Sequence, residues 1–367
     1  MTDRSEYNIS NHAQNEEETI PQEIRRARRA RYSKLNLNLL SDGTCIYLFR
    51  FTLGEIERIT TALGLDHVYR FSSIQVRKNL GFAMLLNRYS FPRRLGDMSI
   101  LFGMSESNVS VVCRGFESIV MNQIKWGLQF NIKQFRPENL ERFASAIYDK
   151  GAALPNIVDF IDGTMQAISR PSQGNEVQKA FYNGWKHMHA LKYQYVVTPD
   201  GITSSLLGPY VGSRHDQYIY TMSKTEARVE KYLDIVPDVE LPFALYGDPA
   251  YMVSKCLYSP FEGVSLNLDK KINKSMSKVR VAVEWEFGEV QKYFKYSKYK
   301  YAMKTGETSP ATVYMLSTVF KNMIHCTGRN RSPTSSYFGL EPPTLEEYIS
   351  GLRRDKIDGE DEDDILF

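Results

Sequence analysis

The sequence predicts an α/β chain in which a mixed sheet flanked by helices follows an all-α N-terminal region. Several observations carry this reading. Asn156-Ile157-Val158-Asp159-Phe160-Ile161-Asp162-Gly163-Thr164 reads as a buried strand that ends on a carboxylate, Asp162. Residues 189–197 alternate, with Leu191, Tyr193, Tyr195 and Val197 on one face and Ala190, Lys192, Gln194 and Val196 on the other. The turn Pro199-Asp200-Gly201 then leads into a return strand over residues 202–208,. Phe243-Ala244-Leu245-Tyr246 is a further short run, ending after Gly247 on Asp248. Ahead of Pro155, apolar residues recur at helical spacing instead,.

Composition bounds the rest. At 367 residues the chain is long enough for two domains and a sizeable core, and 42% hydrophobic with 24% charged residues is ordinary for a globular protein,. A net charge of +3 is too small to argue for a nucleic-acid partner by itself. Its distribution says more. Arg25, Arg26, Arg28, Arg29, Arg31 and Lys34 cluster near the start, as an import signal, a phosphate-binding arm or a solvated helical lead-in, whereas residues 355–364 are almost wholly acidic,. Cys45, Cys113, Cys256 and Cys326 are scattered without zinc spacing, which suits a reducing compartment,. Neither a long apolar run nor a signal-like N-terminus is present, so an intracellular protein without a membrane span is expected,.

Taken in order, residues 1–36 read as a disordered, basic arm, with residues 1–22 polar and rich in Asn and Glu,. A helical domain follows over 37–150. Thr52-Leu53-Gly54-Glu55 is a capping-box pattern ahead of Ile56, Ile59 and Leu63, with Gly64 as a stop,. A second helix is expected from about Ser73 to Arg88, with Val76, Leu80, Ala83 and Met84 inward. Between about 95 and 121, Met98, Leu101 and Phe102 precede Gly103, and Ser105 caps a run of Val109, Val112, Phe116 and Ile119. That is the pattern of a helix-turn-helix, and equally of an ordinary packed helix pair. In the first case Ser105, Glu106, Asn108, Ser110 and Arg114 are the residues that would face DNA.

The sheet-bearing domain is expected over 151–330, with a C-terminal short helix and acidic tail over 331–367. Ser213-Arg214-His215-Asp216 precedes a helix from Gln217 to about Tyr232, for which Asp216 is a ready N-cap,. Ser309-Pro310 opens a helix through Val319 and Ile324, and Thr344 caps a last short one,.

Asp162, Asp248 and an acid on the later helical segment 279–288 form the chemical constellation. If the two strands are neighbours, the two Asp side chains meet, and carboxylates held that close call for a cation. Oxygen ligands suit Mg²⁺ or Mn²⁺, and a pair of such ions serves phosphoryl transfer. The same Asp-Gly and Gly-Asp dipeptides also begin simple turns. Periodicity leaves the third acid open, because Glu284 and Glu286 flank the stripe Val283, Phe287, Val290 and Phe294 on opposite sides. Lys278 and Arg280 precede that stripe, and Lys292, Lys295 and their neighbouring tyrosines follow it, as a DNA track or as a solvated face,.

Six motifs stand in one order: Ile161-Asp162-Gly163-Thr164; Tyr182-Asn183-Gly184-Trp185-Lys186 with His189; Val197-Thr198-Pro199-Asp200-Gly201; Gly212-Ser213-Arg214-His215-Asp216; Tyr246-Gly247-Asp248-Pro249-Ala250-Tyr251; and Arg280 leading into Val283-Glu284-Trp285. With these, roughly residues 150–330 resemble the PIF/Harbinger transposases, whose catalytic domain is of the DDE superfamily endonuclease type. The resemblance implies an RNase H-like fold and a metal site of Asp162, Asp248 and Glu284, with His215 and Asp216 as an accessory pair. It further implies Mg²⁺ or Mn²⁺ as two ions per site, and DNA as substrate in the form of terminal inverted repeats and a target. A Myb-like or SANT partner, a homo-oligomer and nuclear residence (cytoplasmic without the partner) are implied likewise. A domesticated, non-catalytic nuclear DNA-binding protein with the same fold is the alternative. Ala250 departs from the Gly common at that position, and Glu286 adds an acid beside the third ligand; neither removes a ligand.

Overall fold

The computed structural model describes residues 34–233, 241–263 and 266–353. Of the basic run only Lys34 lies among them; the polar first segment and the acidic tail lie outside. The N-terminal layer comprises α1 (Asp42–Phe49), α2 (Leu53–Ala62), the hairpin β1 (Val68–Phe71) and β2 (Ile74–Arg77), then α3 (Lys78–Ser90), α4 (Leu95–Phe102), α5 (Glu106–Gln129) and α6 (Pro137–Asp149). Local chemistry sets these ends. Thr52 and Glu55 close both halves of the capping box on α2, Gly103 ends α4 at a φ of +62°, and the Ser105 hydroxyl accepts from Asn108 N at 3.3 Å to open α5. Residues 73–77, expected as helix, are instead turn at Ser73 and strand from Ile74 to Arg77. Ser72 takes a φ of +55° to close the hairpin, and Val76 is buried from β2, so the helix begins only at Lys78.

The second region runs β3 (Ile157–Ala167), α7 (Asn175–Phe181), β4 (Tyr182–Asn183), β5 (Met188–Val197), β6 (Thr203–Val211), α8 (Asp216–Met222), α9 (Thr225–Leu233), β7 (Ala244–Tyr246), β8 (Leu257–Tyr258), α10 (Asn267–Tyr293), α11 (Pro310–Cys326), α12 (Pro333–Phe338) and α13 (Leu345–Leu352). β5 pairs antiparallel with both β3 and β6, while β3–β7 and β7–β8 are parallel. This mixed sheet, flanked by helices, is consistent with an RNase H-like fold. Two local expectations change. Asp216 is the first residue of α8 rather than its cap, the cap being His215, and the expected single helix breaks at Lys224 (φ +51°) into α8 and α9.

Both faces of the sheet are covered. Ile157, Phe160, Tyr193, Tyr195 and Val197 pack into a large core with Val279, Val283, Val290, Leu316 and Phe320 of α10 and α11. Val158, Ile161, Val196 and Leu245 pack on the other side with Leu140, Phe143, Tyr220, Val229 and Leu233. The large core also takes in Leu48, Phe82 and Val112 from the N-terminal layer and Leu345, Ile349 and Leu352 from α13. A Cβ on Gly127 of α5 would come within 2.3 Å of Leu352 Cα, so bare backbone is what allows α13 to dock there. Arg58 reaches both carboxylate oxygens of Glu346 at 2.8 Å, and Arg329 holds Glu55 at 2.6 and 2.8 Å. The described residues contain no helix long and apolar enough to cross a membrane.

Candidate active site

Parallel pairing of β3 with β7 ends at Phe160↔Tyr246, and each chain then runs two residues further to an acid, Asp162 on one side and Asp248 on the other. Equal overhang from neighbouring parallel strands puts the two carboxylates at the same end of the sheet. Asp162 does not end its strand, as the sequence reading expected; β5 holds β3 in register as far as Ala167↔Ala190. Asp162-Gly163 is therefore not a turn. Gly163 is required for a different reason, since a Cβ there would sit 2.2 Å from Asp216 Oδ1. The Asp216 carboxylate lies directly on the strand beside Asp162.

Each acid is braced. Asp162 Oδ1 accepts from Gly163 N at 2.7 Å, and Asp248 Oδ1 from Ala250 N at 3.0 Å. Asp216 Oδ1 is 2.8 Å from Lys192 Nζ, which also donates to Arg214 O at 3.0 Å. From α10, Arg280 places Nη1 3.1 Å from Asp162 Oδ2 and Nη2 3.5 Å from Glu284 Oε1, one turn further along the helix. Glu284 is half-exposed, at 53%, and faces the cluster through that guanidinium. Glu286 points the opposite way and is fully buried against Lys321 at 2.6 Å. Helix rotation thus separates the two acids that periodicity alone left equivalent.

Burial pushes the Asp162 carboxyl up to about 6, against the pull of Arg280 and with added repulsion from Asp248 and Asp216,. Asp248 is raised too, by burial first and then by Asp216. Tyr251 is buried against the cluster, its phenol pushed well up by burial and then by Asp216, Asp162 and Asp248. Carboxylates in this condition attract positive charge, and Arg280 shows where it goes. The donors are all carboxylate oxygens, a set that fits Mg²⁺ or Mn²⁺. Among the described residues, no three His, Cys, Asp or Glu side chains stand close enough together to grip one ion. Arg280 lies between Asp162 and Glu284.

The other residues singled out in the sequence are placed as follows. His215 is exposed at the start of α8. Arg280, expected on the DNA track, has its guanidinium in the acid cluster. Lys278 and Lys295 are exposed, and Lys292 pairs with Glu289 at 2.9 Å. Tyr296 is buried beneath Arg88, whereas Tyr299 and Tyr301 are exposed. On α5, Ser105 serves as the helix cap, Asn108 is half-buried, and Ser110 and Arg114 border a cavity with Arg88, Tyr296 and Thr312.

Lys192 and Tyr251 are site residues that sequence reasoning missed. The signal for Lys192 was a cation inside an otherwise buried alternating strand. Tyr251 carried none beyond its place after Asp248. No curated protein and no solved structure matches the chain. Residues 161–321 do match the family described as DDE superfamily endonuclease, a stretch that contains Asp162, Lys192, Asp216, Asp248, Arg280 and Glu284 and supports a DDE transposase-like nuclease.

Proposed function

We propose that this protein is a DNA transposase of the PIF/Harbinger type, cleaving phosphodiester bonds at transposon ends and joining the freed 3′-OH to target DNA. The observation that carries the reading is the equal overhang of Asp162 and Asp248 from adjacent parallel strands, with Glu284 presented beside them through Arg280. Asp162, Asp248 and Glu284 are the residues that would hold Mg²⁺ or Mn²⁺. When bound, such a pair of ions polarises the scissile phosphate and makes a water more acidic. The chain's own groups do the positioning: Lys192 fixes Asp216 against β3, Tyr251 walls the acids from the core, and Gly163 N and Ala250 N orient the two Asp side chains. In joining, one P–O bond of the target forms to the 3′-oxygen as another breaks, in line.

The resemblance assigns His215 and Asp216 as an accessory pair, and helix position and charge assign Ser105, Asn108, Ser110, Arg114, Lys278, Lys292 and Lys295 to DNA contacts. A Myb-like partner, a multimer that gathers two transposon ends, and nuclear residence belong to the same reading. The test is cleavage of a labelled duplex carrying the flanking terminal repeats, with Mg²⁺ or Mn²⁺. Nicking by wild type that disappears in Asp248→Asn, with duplex binding retained, supports the proposal; equal nicking by both overturns the assignment of Asp248.

One observation favours a second reading, a non-catalytic DNA-binding descendant: the Arg280 guanidinium occupies the space between Asp162 and Glu284. Absence of nicking both with and without a Myb-like partner, alongside intact DNA binding, would select it.

A further inference from the structure

Trp185 stands at the tip of the connection between β4 and β5 and is 84% exposed, the most exposed large apolar side chain among the described residues. A tryptophan in water forgoes a large hydrophobic gain, and its connection is not loose. Tyr182 pairs with His189 and Asn183 with Met188 across the ladder. Asn183 then braces the turn from both ends, its Oδ1 accepting from Lys186 N at 2.9 Å and its Nδ2 donating to Gly212 O at 2.8 Å. His187 adopts a φ of +51° to complete it. A built turn that holds an indole outward is a presenting device.

Its surroundings select the ligand. Between residues 170 and 189 the chain carries Arg170, Lys179, Lys186, His187 and His189 against the single acid Glu176. Lys179, Lys186 and Tyr182 are exposed, Lys179 at 3.5 Å from the exposed Glu176 and Tyr182 with its ring against His189. The turn is also mechanically tied to the acid cluster. Gly212, which Asn183 holds, leads directly into Arg214 and Asp216, and His189 lies three residues from Lys192 on β5, about 10 Å along the strand,.

We propose that Trp185 is a stacking platform for an unpaired nucleobase of DNA engaged at the acid cluster, with Lys186 and Lys179 taking the adjoining phosphates. This rests on the reading that the cluster acts on DNA. An exposed indole next to cations stacks on any base face, whereas a fully paired duplex offers it none. A site that opens DNA at a cleaved end needs somewhere to put the extruded base.

The test uses the full chain in EDTA, where binding is read without cleavage, and two oligonucleotide probes: a paired duplex, and the same duplex with a short unpaired stretch at one end. Unpaired DNA is expected to quench tryptophan fluorescence and to bind about 10-fold more weakly to Trp185→Ala, with duplex affinity altered less than about twofold. Trp185→Phe, which keeps a ring, should recover most of the loss. Equal losses on both probes, or unchanged affinity for the unpaired one, overturn the inference; the latter points the tip towards a protein partner. Should Trp185→Ala fail to fold, quenching of the wild type against Trp185→Phe decides alone, and identical quenching of the two sinks the idea. A stacking preference that survives when the Asp248→Asn comparison fails leaves the platform standing without the nuclease; an unaltered preference beside active cleavage removes the platform alone.

Discussion

One helix, α10, carries two acid-bearing regions with opposite fates. On its outer side, Arg280 bridges Asp162 and the half-exposed Glu284, with Asp248 and Asp216 near Asp162. On its inner side, Glu286 and Lys321 are both 0% exposed at 2.6 Å, Lys321 also reaches Gly201 O and Thr203 Oγ1 at 3.4 Å, and His325 Nε2 lies 3.6 Å from Glu289. Burial would raise Glu289, but its bonds to His325 and Lys292 outweigh this and hold it below the usual carboxylate range. Asp162 is left raised at about 6 because its partners do not outweigh burial. The difference is one of pairing: Glu286 and Glu289 each face a cation, whereas Asp162 sits among other carboxylates with Arg280 as its counter-charge,.

The largest expected effect breaks the outer region. Asp162→Asn should lower terminal-repeat cleavage on the order of 10³-fold, the scale of losing one preorganised charge in a transition state. Its thermal midpoint at pH 7.5 should be no lower than that of the wild type, since a carboxyl held up at about 6 is disfavoured there in its charged form,. A drop in stability matching the drop in rate would erase the distinction between the regions.

The inner region should answer in stability instead. Glu286→Ala strands a buried ammonium and should cost about 3–5 kcal/mol in urea unfolding, whereas Glu284→Ala should shift it by less than about 0.5 kcal/mol,. Similar costs for the two variants would contradict the placement of either acid.

pH sharpens the contrast at a third acid. Asp200 is buried in the β5–β6 turn, where desolvation lifts it to about 6 against the help of Thr198, Arg142 and Ile202 N. A raised acid stabilises the fold when protonated, so stability contributed by Asp200 is present below about 4 and lost as pH rises through about 6,. Across that window Asp200→Asn should gain on the wild type, by at most about 3 kcal/mol at pH 7. A flat difference from pH 4 to 7 would show that Asp200 does not titrate in the fold. The smallest effect is at the surface. Removing the exposed Arg58–Glu346 pair by Arg58→Ala should cost under about 1 kcal/mol and fade with salt,.

What was legible in the sequence was local. The Thr52 and Thr344 capping boxes, the Ser309-Pro310 helix start and the alternation from Leu191 to Val197 each depend on neighbours a few residues away, and each formed. Residues 73–77 misled because Val76, Leu80 and Ala83 fit helical spacing while the hairpin turn at Ser72 depends on backbone geometry. Asp162 read as a strand end because the continuation to Ala167 is enforced by β5, a partner more than twenty residues away. Lys192 and Tyr251 escaped for the same reason: their roles arise only when β5 and the loop after β7 converge on Asp216. Periodicity left Glu284 and Glu286 equivalent and only the resemblance chose Glu284; their physical difference arises where α11 supplies Lys321 to Glu286.

The docking of Leu352 on the bare backbone of Gly127 bears on how the chain is made. The N-terminal helices pack on one another and on β6 and α11, but the groove between α2 and α5 is filled only by α13, which spans residues 345–352 and is made long after them. A late segment thus seals an early one, and a stop between residues 330 and 345, which removes α13, should yield a product degraded as a whole instead of a stable shortened chain,. Pulse-chase turnover of such a truncated chain, against the full one, reads this directly; equal half-lives would show that the early helices close unaided.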